Sequence, residues 1–514
     1  MGIIRDFRLS INRRGEDYMW FNRSKKEAQS LYECIVENCV NGELPENFSL
    51  PKKVEKGMLP FADGAMDGIT VYHMWAGSLE GEDRNEMAAL IHLISDGKTT
   101  EADRVLGDFA KKHSAISVID DWQSYVIENR DNLNAANVYR YSVNKLLHSS
   151  EVNEVKYGMI SLELYTLQDE NVKDAIRTLG LSDEFTLFSI FIMLKWENAN
   201  DEIFQLAKHV HGWGRIHAID RLEPSTQEIS NWLLHEGVNN NILPEYSALT
   251  CFEKADVRGR LQKDLSHEEF ADIGNILVSM LSEGPCQGIS AVGDGVLEEY
   301  MQLAKRRTLD FSDCQRVLAF FRYGTENGNR TLQEQCEKLL HSEECRKLVM
   351  QELQRGEGLD LAVFLGVEYQ EPLFHCLERQ FDEHYHKASY LMKEESYTDR
   401  VIELFAANLP LQQMQTGPAD EMGLGKEFAD YRKLVTIVQE LKDKPGKGEQ
   451  LLQTALRAPV INNRNMALTV LESWVEVLGK PLQEAFPALY GVLLEAKDQE
   501  MVADIKKRME NLTV

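Results

Sequence analysis

The sequence predicts an all-α fold: a HEAT-like α-solenoid of stacked antiparallel helix pairs behind a non-repeat amino-terminal cap. Three observations carry this reading. Thirteen prolines in 514 residues are about half of ordinary usage, which suits long runs of helix. From about residue 83 onward, apolar residues recur at three- and four-residue spacing in stretch after stretch, the period of one buried helix face. A short pattern also returns at two distant places. Arg215, Ala218, Ile219 and Leu222 read R-x-x-A-I-x-x-L, and Arg464, Ala467, Leu468 and Leu471 read R-x-x-A-L-x-x-L.

The amino-terminal stretch, 1–82, is the least regular. Its segment VNGELPENFSLPKKVEKGMLPFADGAMDG is rich in Pro, Gly and Asn, residues that punctuate helices rather than extend them, so a cap is expected there. Over 83–281 the pattern becomes helix after helix, as in EMAALIHLISDG, EADRVLGDFAKK and NAANVYRYSVNKLL. Starts carry Asp, Ser, Thr or Asn and stops carry Gly, as the unpaired backbone groups of helix ends require. Units ending at Gly180, Gly212 and Gly237 lie 32 and 25 residues apart, the length of one helix pair in a repeat array. Two irregular segments interrupt the later chain, SEGPCQGISAVGDG at 282–295 and LPLQQMQTGPADEMGLGKEF at 409–428. The region 282–514 is accordingly expected to hold further helical repeats, closed by a carboxyl-terminal capping repeat.

The R-x-x-A-[IL]-x-x-L pattern, followed by a polar turn and another amphipathic helix, resembles the second helix of HEAT repeats over about residues 85–280 and 430–514. The resemblance implies that Arg215 and Arg464 tie one repeat to its neighbour. It also implies that Ala218 and Ala467 let helices approach closely, in a right-handed stack with a long concave wall. The stretch DEFTLF…GWGRIHAIDRLEP also resembles an uncharacterised bacterial family labelled limonene hydroxylase. Such an enzyme would need haem, flavin or non-haem iron to activate oxygen, and the sequence holds neither a flavin dinucleotide fingerprint nor a cysteine in a haem-ligand setting.

Charge narrows the functional classes. The formal net charge is −27, and no basic stripe of the kind that binds nucleic acid occurs. The first 56 residues carry ten Lys/Arg against nine Asp/Glu, so the negative charge lies after them. The opening residues hold no apolar run of signal length, and FTLFSIFIML at 185–194 is too short to span a membrane. Eight scattered cysteines without a Cys-x-x-Cys pair suit reduced thiols. A cytoplasmic protein is expected, with no nucleic-acid or membrane partner.

Catalytic motifs fail on inspection. GLGK at 423–426 has Asp420 and Glu427 where a phosphate-binding loop needs Gly and Ser or Thr. Neither G-x-S-x-G nor H-E-x-x-H is present. His209, His211, His217 and Asp220 could supply nitrogen and oxygen ligands to zinc or iron, with His217 and Asp220 on one helix face. The His235-Glu236 and His267-Glu268 dipeptides lie 32 residues apart, a spacing similar to that of deoxyhypusine hydroxylase. In that family such pairs fill the variable positions of R-x-x-A, which here hold Ile216-His217 and Asn465-Met466, so that arrangement does not fit.

The expectation is therefore a non-catalytic scaffold or adaptor, without a cofactor, that binds a protein or peptide of basic character on an acidic concave surface. Trp213, Trp232, Glu245 and Tyr246 are the expected contact residues, since Trp and Tyr dominate interface hot spots. Trp232 also sits at core spacing with Ile229 and Leu233. The alternative is a metal-dependent, hydroxylase-like enzyme using His209, His211, His217, Asp220, His235 and His267.

Overall fold

A computed structural model of the chain describes residues 29–45, 47–51, 61–74, 78–284 and 286–513. Parts of the expected cap, and the first 28 residues in full, lie outside the described residues. No β-strand occurs among the described residues, only two isolated bridges. The fold is all-α. The chain forms two compact units, Met1–Leu303 and Ala304–Val514. Their division falls beyond the Gly-rich segment 282–295, which lies within the first unit.

In the first unit, helices come in consecutive pairs: Ala135–His148 with Val152–Leu162, Glu170–Gly180 with Asp183–Met193, Ala199–His209 with Gly212–Arg221, and Gln227–Glu236 with Glu245–Lys254. The second helix of each pair packs on the second helix of the next, and the row ends on His267–Ser279. This is the nearest-neighbour stacking of a helical repeat, in which no pair buries its apolar face alone. The row is unusually dry. Residues Val155–Leu162, and Gly212–Ile219 of a later helix, are buried without a break, so each is covered on more than one side. The short helix Ala65–His73 supplies part of that cover by packing on Gly212–Arg221.

One expected boundary is corrected. Gly212 does not close the helix before it but opens the helix Gly212–Arg221, while Ala199–His209 ends at an extended Val210. The reason is local. Gly212 has φ +45°, a conformation that suits glycine, and a Cβ there would strike the Asp183 carboxylate.

In the second unit, Phe311–Glu326 packs along Arg330–Leu340. Toward the carboxyl end, Ile461–Leu478 is packed by Ala429–Gln439, Glu449–Leu456 and Ala503–Leu512. The segment 409–428 is irregular and joins this region through a bridge from Glu421 to Val460.

The two motif arginines have backbone partners. Arg215 donates from Nε to the Val210 carbonyl at 3.0 Å and from a terminal nitrogen to the Asn239 carbonyl at 2.8 Å, so it joins its own helix entry to the turn after the next helix. Arg464 is fully buried. It donates to the carbonyls of Ala458, Pro459 and Ala419 and pairs with the buried Glu500 at 2.7 Å. Ala218 and Ala467 are completely buried. Arg260, which lacks the motif, repeats the device by donating to the Ala255 carbonyl at 2.7 Å. Replacing Arg464 by Ala is expected to lower stability by about 3–5 kcal/mol, because Glu500 would stay buried without its partner. Chemical denaturation of the variant against the parent chain measures this directly.

Candidate functional site

Among the described residues of the first unit, buried charge and aromatic rings gather where Ala65–His73 packs on the row of second helices. Lys156, on Val152–Leu162, places Nζ 2.5 Å from Asp67 Oδ2 and 2.5 Å from Glu184 Oε1, and all three side chains are buried. Burial pulls the Lys156 pKa down, but the charges of Asp67 and Glu184 outweigh it and the net direction is upward. The ammonium therefore stays charged. Glu184 also accepts the Gly64 backbone N–H at 3.0 Å. Gly64 itself turns at φ +74°, and a Cβ there would meet the Asp183 carbonyl.

Asp183 stands beside this triad at the start of Asp183–Met193 and accepts backbone N–H groups from His211 and Gly214. It thereby caps the entry of the neighbouring helix, where orphan donors and the helix dipole favour an anion. Burial and then the Asp63 charge oppose ionisation and push the pKa up to about 8, with the two N–H donors pulling the other way.

One turn further along Ala65–His73, aromatic rings take over. Gly68 lies so close to the Trp213 indole that a Cβ would overlap the ring. Tyr72 stacks on His217 with centroids 5.9 Å apart and planes within 7°. Trp213 and Tyr246 meet edge to face at 4.9 Å, and His73 Nε2 lies 2.6 Å from the Tyr246 hydroxyl. His217 is 0% exposed, and neither ring nitrogen has a hydrogen-bond partner. Burial, then the positive charges of Arg221 and Lys156, push its pKa down to about 3, so it is neutral at ordinary pH. The Oε2 atom of Glu245 is likewise buried without a partner.

Several sequence expectations change here. Trp213 is 5% exposed and lies under the helix Ala65–His73, so it is a core ring rather than a partner-contacting one. Trp232 is half-buried, meeting Phe204 edge to face at 5.6 Å with the Arg215 guanidinium over its face. It glues one helix pair to the next. Glu245 and Tyr246 remain at the half-buried edge of the cluster, and Asp220 is exposed beside Arg221.

His209, His211, His217 and Asp220 are not gathered into a ligand set among the described residues. His209 instead contacts Glu43 at 3.1 Å, His211 contributes its backbone to Asp183, and His217 is sealed among rings. His267 opens its helix in an exposed position. His235 does meet acidic neighbours, Glu268 and Asp272. Sequence reasoning missed Asp67, Lys156 and Glu184 altogether, since charges at helical spacing read as a solvated face.

No known protein family matches the sequence, and no curated protein matches it. Among solved structures, a chain described as "Circular tandem repeat protein with novel repeat topology and enhanced subunit contact surfaces" is similar over 84% of this chain and 93% of its own, with 14% identity and a TM-score of 0.12. A score that low carries no argument about this chain. No helix among the described residues is long and apolar enough to cross a membrane.

Lys156→Met leaves two buried carboxylates facing each other, and a loss of about 3–5 kcal/mol is expected. Limited proteolysis should then cut near Ala65–His73 faster than in the parent chain. His217 is the pH reporter. Its folded pKa lies below the unfolded value, so the stability it contributes is complete above about pH 6.5 and is lost as pH falls toward about 3. His217→Phe should flatten the fall in stability across that window by up to one proton's worth, measured by denaturant titration at a series of pH values.

Proposed function

We propose that the chain is a non-catalytic helical-repeat scaffold that binds a basic protein or peptide segment. The observation that supports this best is the acidic excess, −27 overall, carried on a repeat whose interior is already filled by its own side chains. A solenoid presents extended surface rather than an enclosed cavity, and a surface of one sign recruits the opposite sign by steering and complementarity.

Within the first unit, the edge formed by Tyr246, Glu245 and Asp220 suits that role. Tyr246 offers a half-buried ring face, the kind of surface that attracts Lys or Arg through its quadrupole. Glu245 is half-buried beside it, and Asp220 is exposed on the neighbouring helix. A cytoplasmic setting fits this reading, as does the lack of any long apolar helix among the described residues.

A labelled Lys/Arg-rich peptide, followed by fluorescence anisotropy, tests the proposal. Saturable binding is expected, weakening steeply with salt. Tyr246→Ala and Glu245→Gln should each weaken it by roughly tenfold, the effect of removing an interface hot spot, with unchanged circular dichroism. Trp213→Ala should instead destabilise the fold by about 3–5 kcal/mol, as a buried Trp truncation does. Absence of binding at low salt, or binding indifferent to Tyr246→Ala and Glu245→Gln, overturns the assignment.

A further inference from the structure

We propose that His235, Glu268 and Asp272 form a binding site for a divalent transition-metal cation such as zinc or manganese. The three residues come from two packed helices, Gln227–Glu236 and His267–Ser279. One ligand atom from each lies within 4.8 Å of the others. His235 Nδ1 is 2.5 Å from Asp272 Oδ2. The set is independent of the peptide-binding edge and of the buried lysine triad.

Donor chemistry selects the class of ion. One imidazole nitrogen and two carboxylate oxygens suit zinc, manganese or ferrous iron. Soft copper(I) prefers sulfur, and calcium and magnesium prefer oxygen alone. Two carboxylates and a neutral imidazole carry a charge that a divalent cation offsets. Glu268 and Asp272 stand four residues apart on one helix face, where like charges repel, and a cation between them relieves that repulsion. The neighbouring Glu269 is committed elsewhere. It completes the capping box with Ser266 and pairs with Arg260 at 3.2 Å, while the ligand atoms of Glu268 and Asp272 converge on His235.

Geometry allows the ion with small movements. Tetrahedral zinc holds nitrogen and oxygen ligands at about 2.0–2.2 Å, hence about 3.3–3.5 Å from one another. His235 Nδ1 and Asp272 Oδ2 would part from 2.5 Å, and the widest pair would close from within 4.8 Å. Glu268 is exposed and the other two side chains are partly so, so rotamer changes suffice. Three protein ligands leave a further coordination position open to water or to another donor. The placement also explains the paired dipeptides. The fold brings the His of His235-Glu236 to the Glu of His267-Glu268, and Asp272 completes the set one turn on.

The test uses the full chain with zinc and manganese ions alone as probes, by calorimetric titration and by manganese electron paramagnetic resonance. About one saturable site per chain is expected. His235→Ala and Asp272→Asn should each weaken it at least tenfold, with circular dichroism unchanged. Calcium, which the many other carboxylates can hold weakly, should be insensitive to His235→Ala. Should His235→Ala fail to fold, His235→Gln replaces it, since its amide can still bond Asp272 but is a poor ligand. No saturable binding, or equal affinity in the parent chain and the His235 variant, overturns the proposal and leaves a hydrogen bond between His235 and Asp272.

Discussion

The first unit depends on keeping Lys156 charged inside the protein. An isolated buried ammonium would cost several kcal/mol in lost hydration, and nothing in the surrounding helix offsets that. The compensation comes from Asp67 and Glu184, which belong to two other helices. Closure of the triad therefore requires three helices to be in place at once. It fixes how deep Ala65–His73 lies, and the remaining contacts follow from that depth. Gly64 reaches Glu184, Gly68 makes room for the Trp213 indole, and Tyr72 falls over His217. Lys145 repeats the device on the other helix of the same pair, between Asp103 at 2.8 Å and Glu154 at 2.9 Å.

This arrangement changes what the row of second helices can offer. In a bare repeat that row is a binding wall. Here part of it is already covered by the chain's own helix, which is why Trp213 is lost as a contact residue. What stays accessible is the half-buried edge at Glu245 and Tyr246. The covered region has its own cost, because His217 keeps two ring nitrogens without partners. A buried polar group of that kind opposes folding by about 1–3 kcal/mol, and with no solvent at the ring the neutral form is the one that burial favours.

The sequence made some of these features legible and hid others for a physical reason. Periodicity reports which face of a helix is buried, so the helix pairs could be read directly, as could the dry run at 185–190, while the close approach at Ala218 and Ala467 was implied by the R-x-x-A resemblance. Periodicity says nothing about what meets that face. Asp67 and Lys156 are 89 residues apart, and in isolation each looks like a charge on a wet surface. His217 and Asp220 do share a helix, but one end of that helix lies under rings and the other faces water, so shared spacing did not make a shared site. His235 and Glu268 were visible as members of two dipeptides, while the third ligand, Asp272, carried no signal of its own.

The arginines show the same principle from the opposite side. Arg215, Arg260 and Arg464 each enter a helix just after a non-helical linker, and each bonds the carbonyl five residues back. Carbonyls in such linkers have no helical partner and point into the interior, where an unmet acceptor is costly. Arginine is well matched to them, with five donors in a fixed plane, no acceptor of its own and a charge it does not lose. Two of the three stand in R-x-x-A and were readable. Arg260 is followed at that spacing by Lys263, which is outside the pattern, yet it meets the Ala255 carbonyl in the same way. The motif is thus a symptom of the linker geometry. The constraint is the inward-facing carbonyl, and any repeat in this chain that enters its second helix through such a linker needs a donor there, whatever the following residues spell.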